Sequence, residues 1–168
     1  QLIWYGIESG SQKILNNLGK GTTLEQSKKA VGLTDKIGIK SAGYFMFGNP
    51  EETAEDIEKT IRFSKNLPLY YAHFLKLTPR PGSKMYKEVT DTLGYDHYKK
   101  LIEGNSEVRE LPRPWTNLTN EELDRYIIKA FKEFYLNPGR IIRTLSNIGT
   151  YKELKRQLKL GLKLLQIS

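Results

Sequence analysis

Apolar positions in the first half of the chain alternate between short continuous runs and helical spacing. Three runs have strand length and are rich in aromatic and aliphatic residues: 2–7, 39–48 and 70–77. Between and after them, apolar residues recur every three or four positions, which predicts helices at 11–18, 23–37 and 53–67, and a helical turn at 84–88. Strands joined by such helices must be parallel, because a crossover needs about a dozen residues or more. Residues 1–88 therefore read as an α/β unit of order βαβαβα, half of a larger sheet or barrel.

Capping signals predict where these helices begin and end. Thr22 and Glu25 fit a Thr-x-x-Glu capping box, which starts the second helix at Thr23. We expect Ile37 on the apolar face of that helix and Gly38 at its left-handed C-terminal cap.

The second half of the chain reads as helical. Residues 89–118 are polar and predict an irregular connection. Residues 119–168 predict an α-helical C-terminal extension, which opens with a capping box at Thr119 and Glu122. Its last helix, at 151–166, carries a leucine stripe on one side and a lysine stripe on another.

Composition narrows the class of protein. The 168 residues carry a net charge of +8, and residues 138–168 hold seven basic side chains against one acidic one. A basic helix can bind nucleic acid or anionic lipid, although such a stripe is more often a solvated face. No apolar run approaches the roughly 20 residues of a membrane span, and cytoplasmic localisation is the default expectation. The chain has no cysteine, so it offers neither a disulfide nor a thiolate metal site.

Three polar segments follow the three predicted strands, at 8–12, 48–53 and 78–83. Ligands of parallel α/β folds bind beyond the carboxyl ends of the strands. Glu8, between Gly6 and Gly10, could accept hydrogen bonds from sugar hydroxyls or an ammonium group, or simply pair with a nearby lysine. Lys20, between two glycines, could hold a carboxylate or a phosphate. The surrounding sequence is not a phosphate-binding P-loop, because glycine follows the lysine.

Taken in order, the stretches GIESGSQKILNNLGKGTT, GYFMFGNPEETAEDIEKTI and LTPRPGSKMY resemble the second half of a radical S-adenosylmethionine enzyme barrel. The resemblance implies strands four to six of a six-stranded partial TIM-type barrel over 1–88. The region from 121 to the end of the chain resembles the C-terminal extension of the cobalamin-binding branch.

The resemblance also implies roles for residues that bind S-adenosylmethionine. Glu8 would contact the ribose, with Ser9 and Gly10 shaping the turn. Lys20 would meet the methionine carboxylate.

The later strands would contribute the adenine side of the same pocket. Met46 would lie against adenine ahead of Gly48, with Tyr44 on the same strand face, and Glu52 is the expected glutamate of the following turn. Leu77 and Thr78 mark where the last strand would touch adenine through its backbone.

The family's three-cysteine motif, which ligates a four-iron four-sulfur cluster, has no counterpart in these residues. We therefore expect the chain to be a C-terminal fragment that is inactive alone and that pairs with a missing N-terminal half of the same enzyme. Cobalamin would bind in that other part. The substrate, a small molecule or tRNA, is left open.

Two other functions fit parts of the sequence. The basic C-terminal helix could serve a nucleic-acid-binding module, or the α/β part could be half of an ordinary phosphate-binding barrel enzyme. A truncated barrel would leave the apolar first strand as an exposed sheet edge, which predicts self-association as a homodimer.

Overall fold

The computed structural model describes residues 1–103, 111–146 and 155. Its α/β architecture begins with three parallel strands, β1 (Leu2–Glu8), β2 (Lys40–Phe47) and β3 (Tyr71–Lys76), which lie in the order β1-β2-β3. The prediction of parallel strands joined by helices is confirmed. The predicted helix at 151–166 and its basic face fall outside the described residues, apart from Lys155.

Seven helices accompany the sheet in the described ranges. They are α1 (Gln12–Asn17), α2 (Leu24–Lys36), α3 (Ala54–Asn66), α4 (Lys84–Leu93), α5 (His97–Ile102), α6 (Asn120–Tyr135) and α7 (Pro138–Ser146). Among the described residues, no helix combines the length and apolarity that crossing a membrane requires.

The hydrophobic core lies on one face of the sheet. Phe45 and Phe47 of β2 and Phe74 of β3 are buried there, and their rings are in contact. Helices α3 and α6 cover them with Ile57, Ile61, Leu123 and Phe134, among other buried apolar side chains. Burial of this kind contributes about 1.5–3 kcal/mol for each large apolar side chain. The opposite face of the sheet carries Trp4, Tyr44 and His73.

Helix α2 begins one residue later than predicted, at Leu24 instead of Thr23. Thr23 is its N-cap and exchanges hydrogen bonds with Gln26, although Thr22 and Glu25 fit the same pattern. The Gln12 side chain of α1 donates to the Thr22 carbonyl and accepts from the Leu24 amide, which holds Thr22 outside the helix.

The end of α2 also differs from the expectation. Gly38 has the predicted left-handed backbone, with φ of 76°. Ile37 is 71% exposed and does not lie on the buried face. Ile37 is the C-cap, where the helical backbone has already ended, so it no longer follows the spacing of Val31 and Thr34.

The interval 89–118, predicted to be irregular, contains the end of α4 and all of α5. Helix α4 continues to a left-handed cap at Gly94, and the Asp96 carboxylate then accepts from the Lys99 amide at the start of α5. The sequence pattern missed both features because the stretch is polar.

Helix α6 begins as predicted, with a reciprocal capping box between Thr119 and Glu122 and with Leu118 against the core. The Tyr135 hydroxyl at its end bonds both the amide and the carbonyl of Ala72 in β3. Helix α6 therefore also covers part of the outer edge of the sheet.

Candidate functional site

The carboxyl ends of the three strands meet at one rim of the sheet, as the parallel topology requires. The segments at 8–12, 48–53 and 78–83 all follow these strand ends. The rim is the place where a ligand of a parallel α/β fold is expected.

Glu8 ends β1 in an unusual backbone conformation. The pairing of β1 with β2 shifts register between Gly6 and Glu8, and Glu8 has a φ of 71°. A non-glycine residue in the left-handed region is strained, and strained residues cluster at functional sites. A bulge of this kind re-aims a side chain.

The re-aimed carboxylate of Glu8 pairs with Lys20. The Lys20 Nζ lies 3.0 Å from the Glu8 Oε1, and the two side chains are 35% and 16% exposed. Of the interpretations of Glu8, the structure shows pairing with a lysine. Its partner is the second residue that the resemblance assigned to the cofactor.

Gly6 makes room for this ion pair. A Cβ atom at Gly6 would lie 2.6 Å from the Glu8 Oε1 and 3.2 Å from the Lys20 Nζ. Because Gly6 is the register partner of Tyr44, the pair lies on the face opposite the hydrophobic core, which carries Trp4, Tyr44 and His73 and which we call the open face. We call this space above Gly6 the Gly6 notch.

Lys20 stands on a loop with two left-handed glycines. Gly19 and Gly21 have φ values of 62° and 65°, and a Cβ at either position would meet no atom within 4 Å. The Lys20 amide donates to the Leu15 carbonyl of α1 over 3.1 Å, which anchors the backbone while the side chain extends to Glu8.

Ser9 and Gly10 are buried against α3. The Ser9 hydroxyl and the Gly10 amide both bond the Thr60 hydroxyl, over 3.1 and 2.9 Å. A Cβ at Gly10 would lie 2.6 Å from the Phe63 Cβ and from the Thr60 Cα. Both residues therefore fix the β1–α1 turn on the core side.

Asp56 connects the same turn to the start of α3. Its carboxylate accepts from the Ser11 hydroxyl over 2.7 Å and caps α3 at Thr53. Burial favours the neutral acid, but the hydrogen bonds from Ser11 and Thr53 outweigh it and lower the pKa of Asp56 below 3.8.

Glu52 organises the turn after β2. Its Oε2 accepts from the amides of Gly48 and Asn49, and its Oε1 accepts from the Asn49 side chain. Burial raises the pKa of Glu52, against the effect of these hydrogen bonds. Gly48 has a φ of 79°, and a Cβ there would lie 2.8 Å from Leu123. Glu52 and Gly48 thus fix the backbone of the turn that follows β2 at the rim.

Tyr44 and Met46 lie on the open face, two positions apart on β2. Tyr44 contacts Trp4 and His73, and the three ring centroids are 5.1–5.3 Å apart. Sequence reasoning missed this cluster of three rings, although strand alternation places Trp4, Tyr44 and His73 on one face once the register is known.

Leu77 and Thr78 make their polar contacts within the chain. The Leu77 amide donates to the Phe47 carbonyl over 2.8 Å, its carbonyl accepts from Arg113, and the Thr78 hydroxyl donates to the Lys76 carbonyl. Close by, the Trp115 indole donates to the Gly48 carbonyl over 2.8 Å. Arg113 and Trp115 thus hold the ends of β3 and β2. The only sequence signal for them was the motif LPRPW in a polar region.

The structure therefore brings Glu8 and Lys20 into contact and sets Tyr44 beside them. Ser9, Gly10, Gly48 and Glu52 form the supporting turns. Across residues 1–103, 111–146 and 155, His, Cys, Asp and Glu side chains nowhere gather in a group of three suited to a metal ion.

Comparisons with known proteins place these features in a family. No protein-family model matches the chain. An uncharacterized methyltransferase of Pyrococcus horikoshii is 34% identical over 148 residues, which are 85% of this chain and 30% of that protein.

Two further relatives have named reactions. The anaerobic magnesium-protoporphyrin IX monomethyl ester cyclase of Rubrivivax gelatinosus is 29% identical over 79% of this chain and 23% of its own length. The bacteriochlorophyllide d C-8(2)-methyltransferase of Chlorobaculum tepidum is 26% identical over 92% of this chain and 36% of its own length.

The chain spans about a quarter to a third of the length of these curated relatives. The relatives are members of the superfamily that the ordered motifs resemble. With the motifs at the ends of parallel strands and the matches extending over most of its length, the chain belongs to the radical S-adenosylmethionine enzyme superfamily.

Proposed function

We propose that this chain supplies the ribose and methionine side of the S-adenosylmethionine site in a larger radical enzyme. The observation that carries the proposal is the Glu8–Lys20 pair in the Gly6 notch, at the carboxyl end of β1. A carboxylate and an ammonium group at one point match a ligand that has sugar hydroxyls and a carboxylate.

The residues present fit such a ligand. The Glu8 carboxylate would accept hydrogen bonds from the two ribose hydroxyls, and Lys20 would hold the methionine carboxylate as a point charge. Met46 and Tyr44 give the neighbouring strand an apolar and aromatic surface for adenine on the same face. The supporting turns orient these groups without contacting the ligand; they contain Ser9, Gly10, Gly48 and Glu52.

The chemistry would come from groups that this chain does not ligate. S-adenosylmethionine bound next to a reduced four-iron four-sulfur cluster supplies a 5′-deoxyadenosyl radical. The 168 residues contain no cysteine, so we assign the cluster ligands to another part of the parent protein. Cobalamin, where the parent uses it, would likewise bind elsewhere.

We propose methyl transfer as the reaction class of the parent. Two of the relatives named above are methyltransferases, and each matches at least 85% of this chain. The cyclase matches over a smaller share, 79%. A conjugated macrocycle is the substrate class that the named relatives suggest, while tRNA is the alternative suggested by a tRNA-modifying relative of Buchnera aphidicola.

The phosphate-binding alternative has less support from the geometry. The Glu8 carboxylate lies 3.0 Å from the Lys20 ammonium, and a phosphate alone offers Glu8 no hydroxyl donor, whereas a ligand with sugar hydroxyls and a carboxylate uses both groups. The nucleic-acid alternative depends on the basic residues of the predicted helix at 151–166, and of these only Lys155 lies within the described ranges.

Equilibrium dialysis with S-adenosylmethionine tests the proposed site. We expect saturable binding that Glu8→Gln weakens about tenfold or more, because a hydrogen-bonded charge is lost. Glu25→Gln, an exposed carboxylate on α2, is the matched control and should bind as the wild type does. Equal affinity in the Glu8→Gln variant would rule out the assignment.

A second assay tests whether the cluster ligands lie outside this chain. After anaerobic treatment with iron, sulfide and reductant, the chain alone should release no 5′-deoxyadenosine from S-adenosylmethionine. Catalytic release by the purified chain would contradict the proposal that its cluster ligands lie elsewhere.

A further inference from the structure

We propose that Lys20 is an exchangeable latch on the ligand site. In the structure its ammonium group bonds the Glu8 oxygen that a ligand hydroxyl would take, and the carboxylate of the ligand would draw it away. This inference rests on the proposed function and adds a competition between Lys20 and the ribose for one carboxylate.

The geometry of Glu8 creates the competition. The Glu8 Oε1 already accepts from the Lys20 Nζ over 3.0 Å. A vicinal diol uses both oxygens of a carboxylate when it binds side by side. The pair lies tight against the strand, since even one methyl group at Gly6 would approach both partners closer than ordinary contact. A ribose that takes both Glu8 oxygens meets the ammonium group at Oε1, and in the latch the ammonium group leaves that oxygen.

Lys20, rather than Glu8, is the partner that can move. Glu8 is held by the register shift at the end of β1, and its side chain is 16% exposed. Lys20 lies on a loop between two left-handed glycines, and both glycines face open space. Its long side chain can swing to a new acceptor while its amide stays bonded to Leu15.

The latch predicts opposite responses for two adenosyl ligands. The carboxylate of S-adenosylmethionine gives the Lys20 ammonium group a new ion-pair partner when it leaves Glu8. 5′-Methylthioadenosine has the same ribose and adenine but lacks the carboxylate, so it would displace Lys20 without offering it a new ion pair. A lysine that only binds the methionine carboxylate would not affect 5′-methylthioadenosine.

The test is calorimetric titration of both ligands into wild type, Lys20→Gln and the exposed control Lys29→Gln. Lys20→Gln should bind 5′-methylthioadenosine about two- to fivefold more tightly, since a partly exposed ion pair no longer competes. Its preference for S-adenosylmethionine over 5′-methylthioadenosine should fall about tenfold. Lys29→Gln should match the wild type. Unchanged or weaker binding of 5′-methylthioadenosine by Lys20→Gln would overturn the latch.

A second measurement needs no variant. Salt screens the Glu8–Lys20 pair, so near-molar NaCl should strengthen binding of 5′-methylthioadenosine to the wild-type chain. A salt-independent or weakened affinity would contradict the latch. If the wild type binds neither ligand, the proposed function itself fails; if both ligands bind but ignore Lys20 and salt, only the latch fails.

Discussion

At the scale of residues, Glu8 combines backbone strain with an ion pair at the rim where the strands end. Only Glu8 and Glu51, among non-glycine residues in the described ranges, have positive φ. Such a conformation costs about 1–2 kcal/mol compared with glycine. Glu51 follows β2 and is clamped by Lys13 and Asn17 of α1, whereas Glu8 points into the Gly6 notch.

Replacing each of these glutamates by glycine separates strain from ligand binding. The free energies of unfolding of Glu8→Gly and Glu51→Gly should both lie within about 1 kcal/mol of the wild-type value, because relief of strain offsets the lost side-chain contacts. Only Glu8→Gly should lose affinity for S-adenosylmethionine, by about tenfold or more. Urea denaturation and dialysis measure the two effects. A similar loss in Glu51→Gly would show that backbone conformation, not the carboxylate, governs binding.

The Gly6 notch makes a second prediction at this scale. Gly6→Ala should displace the Glu8–Lys20 pair and weaken S-adenosylmethionine binding about tenfold, because the added Cβ would lie 2.6 Å from Glu8 Oε1. Gly32→Ala in α2 adds a methyl group in open space and should leave binding unchanged while stabilising the helix by up to about 1 kcal/mol. Undiminished binding by Gly6→Ala would mean that the ligand does not use the notch.

The sequence singled out Glu8 and Lys20 separately and left pairing of Glu8 with a nearby lysine open, but it did not identify Lys20 as that lysine. The Glu8–Lys20 contact depends on a register shift in β1 and on two left-handed glycines, and neither changes the apolar pattern. The same limit applies to Glu52. A carboxylate in a polar turn gives no sign that it is buried beneath Gly48 and Asn49 rather than exposed to ligand.

At the scale of elements, α3 connects the turns after β1 and β2. Thr60 holds Ser9 and Gly10, while Asp56 holds Ser11 and caps α3. Apolar spacing predicted a helix at 53–67 but neither the capping box at Thr53 nor the bonds to Ser11, which join residues far apart in sequence. The capping box at Thr119 and Glu122 was recovered from the sequence because both partners lie within one turn of helix.

The Asp56 cluster predicts an acid-dependent stability. The folded pKa of Asp56 is lowered, so its contribution is fully present above its ordinary value of 3.8 and is lost as pH falls through the lower folded pKa. Asp56→Asn should cost about 1–3 kcal/mol at neutral pH, and the difference from wild type should shrink below pH 3.8.

Denaturant titrations at several pH values measure that difference. The raised pKa of Glu52 acts with the opposite sign, but it is present in both proteins and largely cancels. Asp91→Asn, an exposed residue of α4, is the control and should not change the pH dependence. A constant deficit of Asp56→Asn at every pH would mean that its charge does not stabilise the fold.

At the scale of the whole molecule, the two edges of the sheet differ. The outer edge of β3 is covered at Ala72 by the Tyr135 hydroxyl, which satisfies both backbone groups. In the order β1-β2-β3, β1 has β2 as its strand neighbour, and its Leu2, Ile3 and Trp4 are exposed. Unprotected apolar edge strands pair with other strands.

We expect the isolated chain to self-associate through β1. Ile3→Lys should shift the chain toward monomer, because an edge lysine opposes strand pairing. Leu75→Lys adds the same charge to an exposed apolar position of β3 and should leave association unchanged. Sedimentation velocity over a range of concentrations distinguishes them. A wild-type monomer at high concentration, or an equal effect of both variants, would contradict association through this edge.

The α/β class and the parallel direction of the strands followed from the sequence because of the long helical crossovers, whereas the strand order β1-β2-β3 came from the structure. The division into barrel half and C-terminal extension stays a prediction, since the sheet alone does not define barrel closure.

The most direct test of the central claim is a crystal structure of the chain, or of the parent protein, with S-adenosylmethionine. We expect the ribose hydroxyls on the Glu8 carboxylate in the Gly6 notch, with the Lys20 ammonium moved to the methionine carboxylate. A ligand bound away from β1, with Lys20 still paired to Glu8, would contradict the assignment of this rim as the cofactor site.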